Sequence, residues 1–282
     1  MRDEWIVRVP ASSANLGSGF DALAVALGVH LEARLGGEAP AGEGHPAVRA
    51  FREAGGHGSF SVRAAFPGGR GLGFSGAARV AGALAALVQQ GHEPENAAPA
   101  VLRLAAAQEG HADNVAASLL GGVVAVAEGR ACRVPLGRVP VVVVWTPEAE
   151  NSTAGSRRTL PTTVPFADAV HNVGAAALLV AALAAGDLDA LAVATRDRLH
   201  QAARLERMPE TRTAIEAAVA AGAAAAWLSG SGPSAAAFVD PARAEVVAAA
   251  LPASGRVRVL PIAIGGAEVV PVGDDAIDAG EG

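Results

Sequence analysis

A glycine-rich loop at residues 71–76, with the sequence GLGFSG, matches the G-x-G-x-x-G fingerprint of dinucleotide-binding loops. In a Rossmann unit the loop follows its strand directly, and a second strand with an acidic end comes about 20 residues later. Here Pro67–Arg70 separates the loop from the strand SFSVRAAF, and the segment QQGHEPENAAPAVLRLAAAQEG indicates a turn and a second helix. The loop therefore predicts an anion-binding helix N-terminus outside a Rossmann unit.

The order of the predicted elements indicates an α+β fold. EWIVRVPAS alternates apolar and polar residues as a strand does, and VHLEARLG is its expected neighbour. Further along, FADAVHNVGAAALLVAALAAG, DALAVATRDRLHQAARLER and ETRTAIEAAVAAG predict three helices, which lead into the strand AAAWLSGSGPSAAAFVD. Strands and helices mixed without regular βαβ units are typical of α+β proteins. A polar stretch at residues 146–162 predicts a boundary between domains at residues 1–150 and 151–282.

The composition is that of a globular protein. Of the 282 residues, 51% are hydrophobic and 18% are charged, so a packed core is expected. The net charge of −6 gives no electrostatic reason to expect a nucleic-acid partner. Apolar runs such as VGAAALLVAALAAG fall short of the roughly 20 residues that span a bilayer, and MRDEWIVRVP lacks the apolar core of a signal peptide. With a single cysteine, Cys132, we expect a soluble cytoplasmic protein without a membrane partner.

The sequence contains no lysine, so all 22 of its Lys-or-Arg positions are arginines. Codon bias toward Ala, Gly, Arg and Pro explains this absence without a functional cause. Its consequence is firm, because a Walker A loop, a Schiff-base lysine and a lysine-assisted kinase are all excluded.

Two polar segments interrupt apolar surroundings in the first half of the chain. PASSANLGSGFD places hydroxyls, an amide, glycines and an acid directly after a strand, where Ser18 or Asp21 also fits a simple helix cap. In the glycine-rich loop, Gly71 and Gly73 permit positive φ and close backbone approach. Ser75 then begins a helix whose N–H groups and dipole favour a phosphate. A plain turn at the start of a helix is the alternative for this loop.

A third segment, EGHADN, gathers Glu109, His111, Asp113 and Asn114 just before an apolar helix. One acid near one histidine makes a poor zinc site, because Cys132 is distant and no second histidine is close. A carboxylate with a serine hydroxyl suits Mg²⁺ better, since this ion keeps waters and nucleotide phosphates as its other ligands. Asp113 also fits a purely structural role as an N-cap.

Arginines cluster in two further segments, NSTAGSRRTLP and RDRLHQAAR. These segments supply Arg157, Arg158, Arg198 and Arg204. Most arginines on helices lie on solvated faces, but a guanidinium also binds a carboxylate through two parallel hydrogen bonds. One or two of these four are therefore candidates for binding an acidic substrate.

Taken in order, these segments resemble the motifs of the GHMP kinases, and within them the branch that phosphorylates homoserine. VPASSANLGSGFDALAVAL resembles the first family motif, GRGLGFSGAARVAG resembles the phosphate loop, and LSGSGPSAAAF resembles the third motif. EGHADNVAASLLGG resembles the segment after the loop, and STAGSRRTLPTTVPFADAVHN with DRLHQAAR resemble substrate-binding stretches. The resemblance covers roughly residues 5–240. It implies a two-domain fold with the active site in a cleft between an N-terminal nucleotide-binding half and a C-terminal half.

The resemblance also implies roles for individual residues. Ser75 and Glu109 match the family's Mg²⁺ ligands, Asp21 is expected to meet the substrate ammonium, and Arg157 and Arg204 are expected to meet its carboxylate. The residues expected to hold the ATP phosphates are Arg70, Gly71, Leu72, Gly73, Phe74, Ser75 and Gly76. The other positions matched around homoserine are Asn15, His111 and Asn114. Among all of these, the two asparagines and Arg204 are the expected catalytic residues.

Phe74 departs from the family pattern, because the loop normally has the sequence GLGSSAA and Phe74 occupies its first serine position. The substitution removes a hydroxyl near the phosphates. The ring can pack into the core or lie beside the nucleotide, and the core is favoured because burying a Phe contributes about 1.5–3 kcal/mol. The missing lysine agrees with the resemblance, since catalysis in this branch relies on positioning and electrostatics rather than on an Asp–Lys pair.

The function implied is ATP-dependent phosphorylation of the side-chain hydroxyl of L-homoserine to O-phospho-L-homoserine, a step of threonine biosynthesis. A homodimer is a further family expectation. Two alternatives stay open, a GHMP kinase for another small hydroxy acid or alcohol and a GHMP-fold protein that binds a ligand without catalysis. Phe74 is the only motive for the second alternative. ATP turnover with and without homoserine separates the three.

Overall fold

A computed structural model describes residues 5–37, 39–149 and 153–272 of the chain. The described strands are β1 (Trp5–Ala14), β2 (Leu23–Leu35), β3 (Phe60–Ala64), β4 (Val123–Ala127), β5 (Arg130–Val134), β6 (Val141–Pro147), β7 (Ala225–Leu228), β8 (Ala235–Val239), β9 (Gly255–Pro261) and β10 (Glu268–Pro271). They form two antiparallel sheets. The larger has the order β10-β1-β2-β4-β5, with β3 also paired to β2, and the smaller has the order β7-β8-β6-β9.

Helices surround both sheets, so the predicted α+β class is confirmed. The described helices are α1 (Pro46–Glu53), α2 (Phe74–Gln89), α3 (Pro94–Glu109), α4 (Asp113–Leu120), α5 (Thr153–Arg157), α6 (Phe166–Ala185), α7 (Leu191–Ala194), α8 (Gln201–Leu205), α9 (Pro209–Ala220) and α10 (Ala244–Ala250). The first four belong with the larger sheet, because α2 and α4 both pack on β1 and β2.

Helix α2 lies at the centre of the larger core. Apart from Arg79, every residue from Gly76 to Leu87 is buried. The small residues permit close packing, and a Cβ at Gly82 would collide with the carbonyl of Ala47 in α1. A helix enclosed in this way holds its N-terminus, and the glycine-rich loop before it, in a fixed position against β1.

The two sheets divide the chain differently from the predicted boundary at residue 150. Strand β6 precedes that boundary and yet lies inside the smaller sheet, between β8 and β9. Strand β10 follows it and yet returns to the larger sheet, where Val269 and Val270 pair with Val7 and Ile6 of β1. The larger sheet therefore needs residues from both ends of the chain.

Two segments differ from the sequence prediction for local reasons. DALAVATRDRLHQAARLER was predicted as one helix, but it forms the short helices α7 and α8 with a turn between them. The Asp197 carboxylate accepts hydrogen bonds from the backbone N–H groups of Leu199, His200 and Gln201, which ends one helix and begins the next. AAAWLSGSGPSAAAFVD was predicted as one strand and forms the β7–β8 hairpin. Helix α1 was not predicted.

Helix α6 is longer than the apolar run in its sequence. It has 20 residues and a mean hydropathy of 1.6, with 28% of its most apolar window buried, so by length and composition it is able to cross a membrane. The apolar run VGAAALLVAALAAG fills only part of this helix, because residues 166–172, with Asp168 and His171, extend it. One face contacts the protein, where buried Asn172 donates to the carbonyl of Ser18 and to the carboxylate of Asp197.

Candidate active site

One cavity of about 110 Å³ brings most of the predicted site residues together. It lies where the end of β1, the loop before α2, the segment between α3 and α4, helix α5, helix α8 and the β7–β8 loop converge. The lining residues are Ala14, Asn15, Asp21, Gly69, Gly71, Gly73, Phe74, Ser75, Glu109, His111, Asp113, Asn114, Arg157, Arg204, Gly230 and Ser231. Residues from four separate polar segments of the sequence therefore share one site.

The segment after β1 is held in a strained conformation by its own polar groups. Asn15, Leu16 and Asp21 have φ angles of 74°, 46° and 54°, in the left-handed region that residues other than glycine seldom adopt. The Asn15 amide donates to the carbonyl of Gly230 over 2.9 Å, and its Oδ1 accepts the backbone N–H of Asp21 over 3.0 Å. Such strain is found where surrounding structure enforces it, and here it brings the Asp21 carboxylate to the cavity.

The alternative role of Ser18 or Asp21 as a helix cap is wrong. Strand β2 begins at Leu23, so no helix follows this segment. The Ser18 hydroxyl instead donates to the carbonyl of Ala194, over 2.6 Å, and ties the segment to α7.

The glycine-rich loop approaches its neighbours too closely for any side chain at two positions. Gly71 has φ 76°, and a Cβ there would collide with the carbonyl of Ser229. Gly73 has φ 66°, and a Cβ there would collide with the hydroxyl of Ser12. The loop is thereby fixed between β1 and the β7–β8 loop, and α2 begins at the cavity. The first N–H groups of a helix have no partners within it, so they bind anions there.

Ser75 and Glu109 lie next to each other at the end of this cavity. The Ser75 hydroxyl donates to Oε2 of Glu109 over 2.9 Å, and Arg79 of α2 donates to both of these oxygens. The described residues contain no group of three or more His, Cys, Asp or Glu side chains able to hold a metal by themselves. One carboxylate and one hydroxyl fit Mg²⁺, because that ion takes its other ligands from water and phosphate oxygens.

His111 lies between two carboxylates. Its Nδ1 is 2.8 Å from Oδ1 of the buried Asp113, and its Nε2 is 3.8 Å from Oε1 of Glu109. Burial lowers the pKa of His111, but the hydrogen bond to Asp113 and the charges of Asp113, Glu109 and Asp21 outweigh burial, and the pKa of His111 is raised. Asp113 is the first residue of α4 rather than its N-cap, which is Ala112, and its carboxylate accepts the backbone N–H of Asn114. The imidazole therefore carries more positive charge near neutral pH than an exposed histidine does.

The charges predicted for an amino-acid substrate lie together at the cavity, where Asp21 and Arg157 are in direct contact. Arg157 Nη2 lies 2.8 Å and 2.9 Å from the two carboxylate oxygens of Asp21. Both guanidinium groups lie over the Phe20 ring, that of Arg157 at 5.8 Å from the ring centroid and that of Arg204 at 5.1 Å. This arrangement offers a carboxylate for an ammonium and two guanidinium groups for a carboxylate.

Arg204 is 3% exposed and only partly hydrogen-bonded. Its Nη1 donates to Nδ1 of His200 over 3.1 Å and to the carbonyl of Gly230 over 3.3 Å. Its Nε is buried without a hydrogen-bond partner among the described residues. Burial lowers the pKa of Arg204, and the charge of Asp21 opposes that shift. An unsatisfied buried N–H of a cation is a strong donor for a carboxylate in the cavity.

The structure brings only some of the other predicted residues to the site. Arg70 and Leu72 line a neighbouring cavity of about 800 Å³, on the other side of the loop. Gly76 is buried inside α2, and a Cβ there would press on Asn114. Arg198 pairs with Asp168 over 3.3 Å at the surface, as predicted for most arginines in these segments.

Phe74 packs against the loop and the core. Its ring meets Phe66 edge-on at 5.9 Å between centroids and meets His45 edge-on at 5.7 Å. The ring is half-buried, and a Cβ built at Gly68 would lie in ordinary van der Waals contact with it. Phe74 also lines the small cavity, so the same residue packs on the core and borders the candidate site.

Three residues of the site were missed by sequence reasoning. Arg79 contacts Ser75 from one helical turn away, a spacing that could have been noticed once α2 was predicted. Phe20 and His200 support the arginines, and His200 reaches the carbonyl of Gly17 over 2.9 Å. Their contacts join distant segments, which a pattern within one segment does not reveal.

The fold and this phosphate-loop site define a GHMP kinase. The sequence of residues 41–122 matches the family model of the GHMP kinase N-terminal domain. Residues 179–257 match the family model of the GHMP kinase C-terminal domain. A homoserine kinase from Thermus thermophilus is 42% identical to this chain, over 91% of this chain and 96% of the relative. A homoserine kinase from Leifsonia xyli is 38% identical, over 98% and 94%.

Solved structures agree with these relatives. The crystal structure of a homoserine kinase from Cytophaga hutchinsonii matches with a TM-score of 0.83 and 27% identity, over 96% of this chain and 98% of that chain. A putative homoserine kinase from Listeria monocytogenes matches with a TM-score of 0.76 and 28% identity, over 94% and 99%. The chain belongs to the homoserine kinase family of the GHMP kinases.

Proposed function

We propose that this protein transfers the γ-phosphoryl group of ATP to the side-chain hydroxyl of L-homoserine, forming O-phospho-L-homoserine for threonine biosynthesis in the cytoplasm. The observation that carries the proposal is the position of Asp21, Arg157 and Arg204 in the same small cavity as the loop before α2. A carboxylate and two guanidinium groups together recognise an amino acid. A helix N-terminus beside them recognises phosphate.

The substrate is held at both of its charged ends. Its ammonium meets Asp21, and its carboxylate meets Arg157 and the buried Nε of Arg204. A carboxylate on Arg204 satisfies a donor that has no other partner among the described residues. Charge-assisted bonds of this kind are roughly twice as strong as neutral ones, so they fix the orientation of a small molecule. The side-chain hydroxyl is then directed toward the loop.

The phosphates of ATP lie at the N-terminus of α2. Ser75 and Glu109 are the residues that would hold Mg²⁺, which supplies charge neutralisation on the phosphate oxygens when bound. Asn15 and Asn114 line the cavity between the loop and the substrate charges, and they are positioning groups for the reacting hydroxyl. Phosphoryl transfer through a loose transition state needs alignment and charge neutralisation above all, so a site without lysine is sufficient.

The direct test is phosphate transfer from ATP with a small panel of acceptors, followed by mass spectrometry of the product. L-Homoserine is expected to be phosphorylated. 4-Hydroxybutyrate, which lacks the ammonium, and 3-aminopropanol, which lacks the carboxylate, are expected to react far more slowly. Equal rates on all three would contradict recognition through Asp21 and the arginines. ATP turnover that no acceptor stimulates would contradict the kinase assignment.

We also propose that the protein is a homodimer that uses the exposed face of α6. Along this face Phe166 is 84% exposed, Val170 55%, Val173 73% and Leu178 39%, and Val193 of the adjacent α7 is 47% exposed. The spacing of 166, 170 and 173 places these side chains on one stripe, which carries no charge. A second copy of the same stripe is the occupant that matches it, because a two-fold interface pairs each patch with itself. A helix of this length, about 30 Å, gives much of the area of a standard interface.

The oligomeric state tests this interface. Light scattering after gel filtration is expected to give a dimer for the native chain and a monomer for Val173→Glu. Val219→Glu is the matched control, since Val219 is 51% exposed on α9, away from this stripe, and this variant is expected to stay dimeric. A monomeric native chain that sediments with phospholipid vesicles would instead identify α6 as a membrane-binding helix.

A further inference from the structure

Arg79 contacts both Ser75 and Glu109, the two residues proposed to hold Mg²⁺, which are called the metal pair below. It lies one turn after Ser75 on α2, and its guanidinium donates to the Ser75 hydroxyl and to Oε2 of Glu109. It is the same Oε2 that accepts the bond from Ser75. The side chains are 19% exposed for Arg79 and 10% exposed for Glu109, so water screens the pair only in part. The guanidinium thus binds the two oxygens that form the metal pair.

We propose that Arg79 is a positioning residue that competes with the divalent cation for Ser75 and Glu109. This inference rests on the proposed metal pair. Ser75 and Glu109 would hold a cation with the side chains that the guanidinium already contacts, and two positive charges at one carboxylate repel each other. Metal binding therefore requires the Arg79 side chain to move away from Oε2.

The structure offers the guanidinium another position. A second cavity, of about 370 Å³, is lined by Arg79 together with Gly44, Pro46, Arg49, Glu53, Ala107 and Gln108. Glu53 is the carboxylate in this lining, and its Oε2 accepts a hydrogen bond from Gln108 over 2.7 Å. Arginine has a long flexible stem, so the head can move from Glu109 to Glu53 while α2 stays fixed.

Replacement of the Arg79 guanidinium by the cation keeps the Glu109 carboxylate paired with a positive charge in both states. A carboxylate that is only 10% exposed is costly without a positive partner. Arg79 supplies that partner until the metal–nucleotide complex arrives, and it keeps Glu109 oriented toward Ser75. The same contact lowers the affinity for the metal, because the cation has to displace a bound group rather than enter an open pair of ligands.

The test measures metal binding rather than turnover. Mn²⁺ binding to the enzyme with ADP, and without homoserine, is followed by electron paramagnetic resonance. Arg79→Gln is expected to bind Mn²⁺ about two- to fivefold more tightly, the size of one partly exposed ion pair, and to unfold at a lower temperature without nucleotide. Arg198→Gln is the control, because it removes an exposed ion pair with Asp168 outside this cavity, and it is expected to leave Mn²⁺ binding unchanged.

A second variant tests the alternative position. Glu53→Gln is expected to weaken Mn²⁺ binding when Arg79 is present and to have no effect in the Arg79→Gln background. Weaker Mn²⁺ binding by Arg79→Gln alone would overturn the proposal, because the guanidinium would then assist the phosphates. Unchanged Mn²⁺ binding would overturn it too. Neither result depends on homoserine, so failure of the proposed substrate would be recognised separately.

Discussion

Arg157 and Asp21, which are 136 positions apart in the chain, form an ion pair in which one guanidinium nitrogen contacts both carboxylate oxygens. These residues are the ones expected to bind opposite ends of the substrate. A zwitterionic amino acid that enters the cavity exchanges this pair for two new pairs, one at each end. Recognition then depends on the substrate carrying both charges, because either charge alone leaves Asp21 or Arg157 with a worse partner.

Replacing Arg157 is expected to weaken homoserine binding selectively. Arg157→Leu should raise the KM for homoserine at least tenfold, because a hydrogen bond to a charged group contributes about 1.5–3 kcal/mol. The KM for ATP should stay nearly unchanged. Steady-state kinetics with each substrate varied in turn measures both values.

Arg158 provides the control within the same segment. It lines a different cavity, together with Met208 and Thr211, and not the cavity of the site. Arg158→Leu should therefore change neither KM by more than about twofold, as expected for a surface substitution. Equal effects of the two variants, or equal effects of Arg157→Leu on both substrates, would contradict the assigned role.

Replacing Glu109 is expected to alter the metal dependence. Glu109→Gln keeps the shape of the side chain and removes the charge, so half-maximal turnover should need a higher Mg²⁺ concentration. Loss of the partly exposed ion pair with Arg79 costs about 1 kcal/mol or less, which lowers the Tm by about 2–4 °C at most. A variant with normal metal dependence and a much lower Tm would show that Glu109 is structural.

Substitutions at Phe74 and Ser75 are expected to have opposite effects, the first lowering mainly the Tm and the second lowering mainly the activity. Phe74→Ser removes a half-buried ring from its contacts with Phe66 and His45, so the Tm should fall. Homoserine phosphorylation should stay within about tenfold of the native rate, equivalent to 1.4 kcal/mol. Ser75→Ala should lower activity by more than that and leave the Tm close to native. An inactive native chain that gains activity on Phe74→Ser would instead support a protein that binds without catalysis.

His200 is expected to reduce stability as the pH falls. Its Nε2–H donates to Gly17 and its Nδ1 accepts from Arg204, so the neutral ring fits and a second proton would face a guanidinium. Burial lowers the pKa of His200 below 6.5, although the charge of Asp197 opposes this. As the pH falls, the unfolded chain therefore binds a proton at a higher pH than the folded chain does. The stabilisation by neutral His200 is fully present above pH 6.5 and is lost as the pH falls through the folded pKa.

His200→Gln keeps a donor and an acceptor and does not titrate. Its Tm should therefore depend less on pH than the native Tm between pH 7 and about 5, a window above the ordinary range of carboxylates. His111, whose raised pKa has the opposite effect on stability, is present in both proteins and cancels in the difference. Parallel Tm curves would contradict the assigned protonation state.

The sequence was informative where a single segment carries the whole signal. Gly71 and Gly73 lie in one loop and Ser75 lies in the first turn of α2, so their conformations follow from the need for positive φ and for a helix start. The α+β class follows from the mixture of periods along the chain. The ordered motifs predicted the family, because several short patterns in one order are more specific than any of them alone.

Prediction was weaker where side chains override local pattern. Residues 189–207 have the apolar spacing of a helix. The Asp197 carboxylate nevertheless accepts hydrogen bonds from three backbone N–H groups, and the helix is interrupted there. The ion pairs of Asp21 with Arg157 and of Glu109 with Arg79 join distant positions or different helices. Neither pair is visible without the fold, although the sequence analysis named Asp21 and Arg157 separately as candidate substrate-binding residues.

The passage of the chain between its two sheets ties together the two parts of the molecule that form the site. The chain leaves the larger sheet between β5 and β6 and returns between β9 and β10, so two covalent connections join the sheets. The second is also bonded to β2, where the backbone N–H of Ala263 donates to the carbonyl of Ala26 over 3.1 Å. Trp227 and Phe238 of the smaller sheet also share one buried cluster with Val7 and Val9 of β1. Covalent connections, backbone bonding and a common core therefore all hold the substrate charges, which come from both halves of the chain, in one alignment.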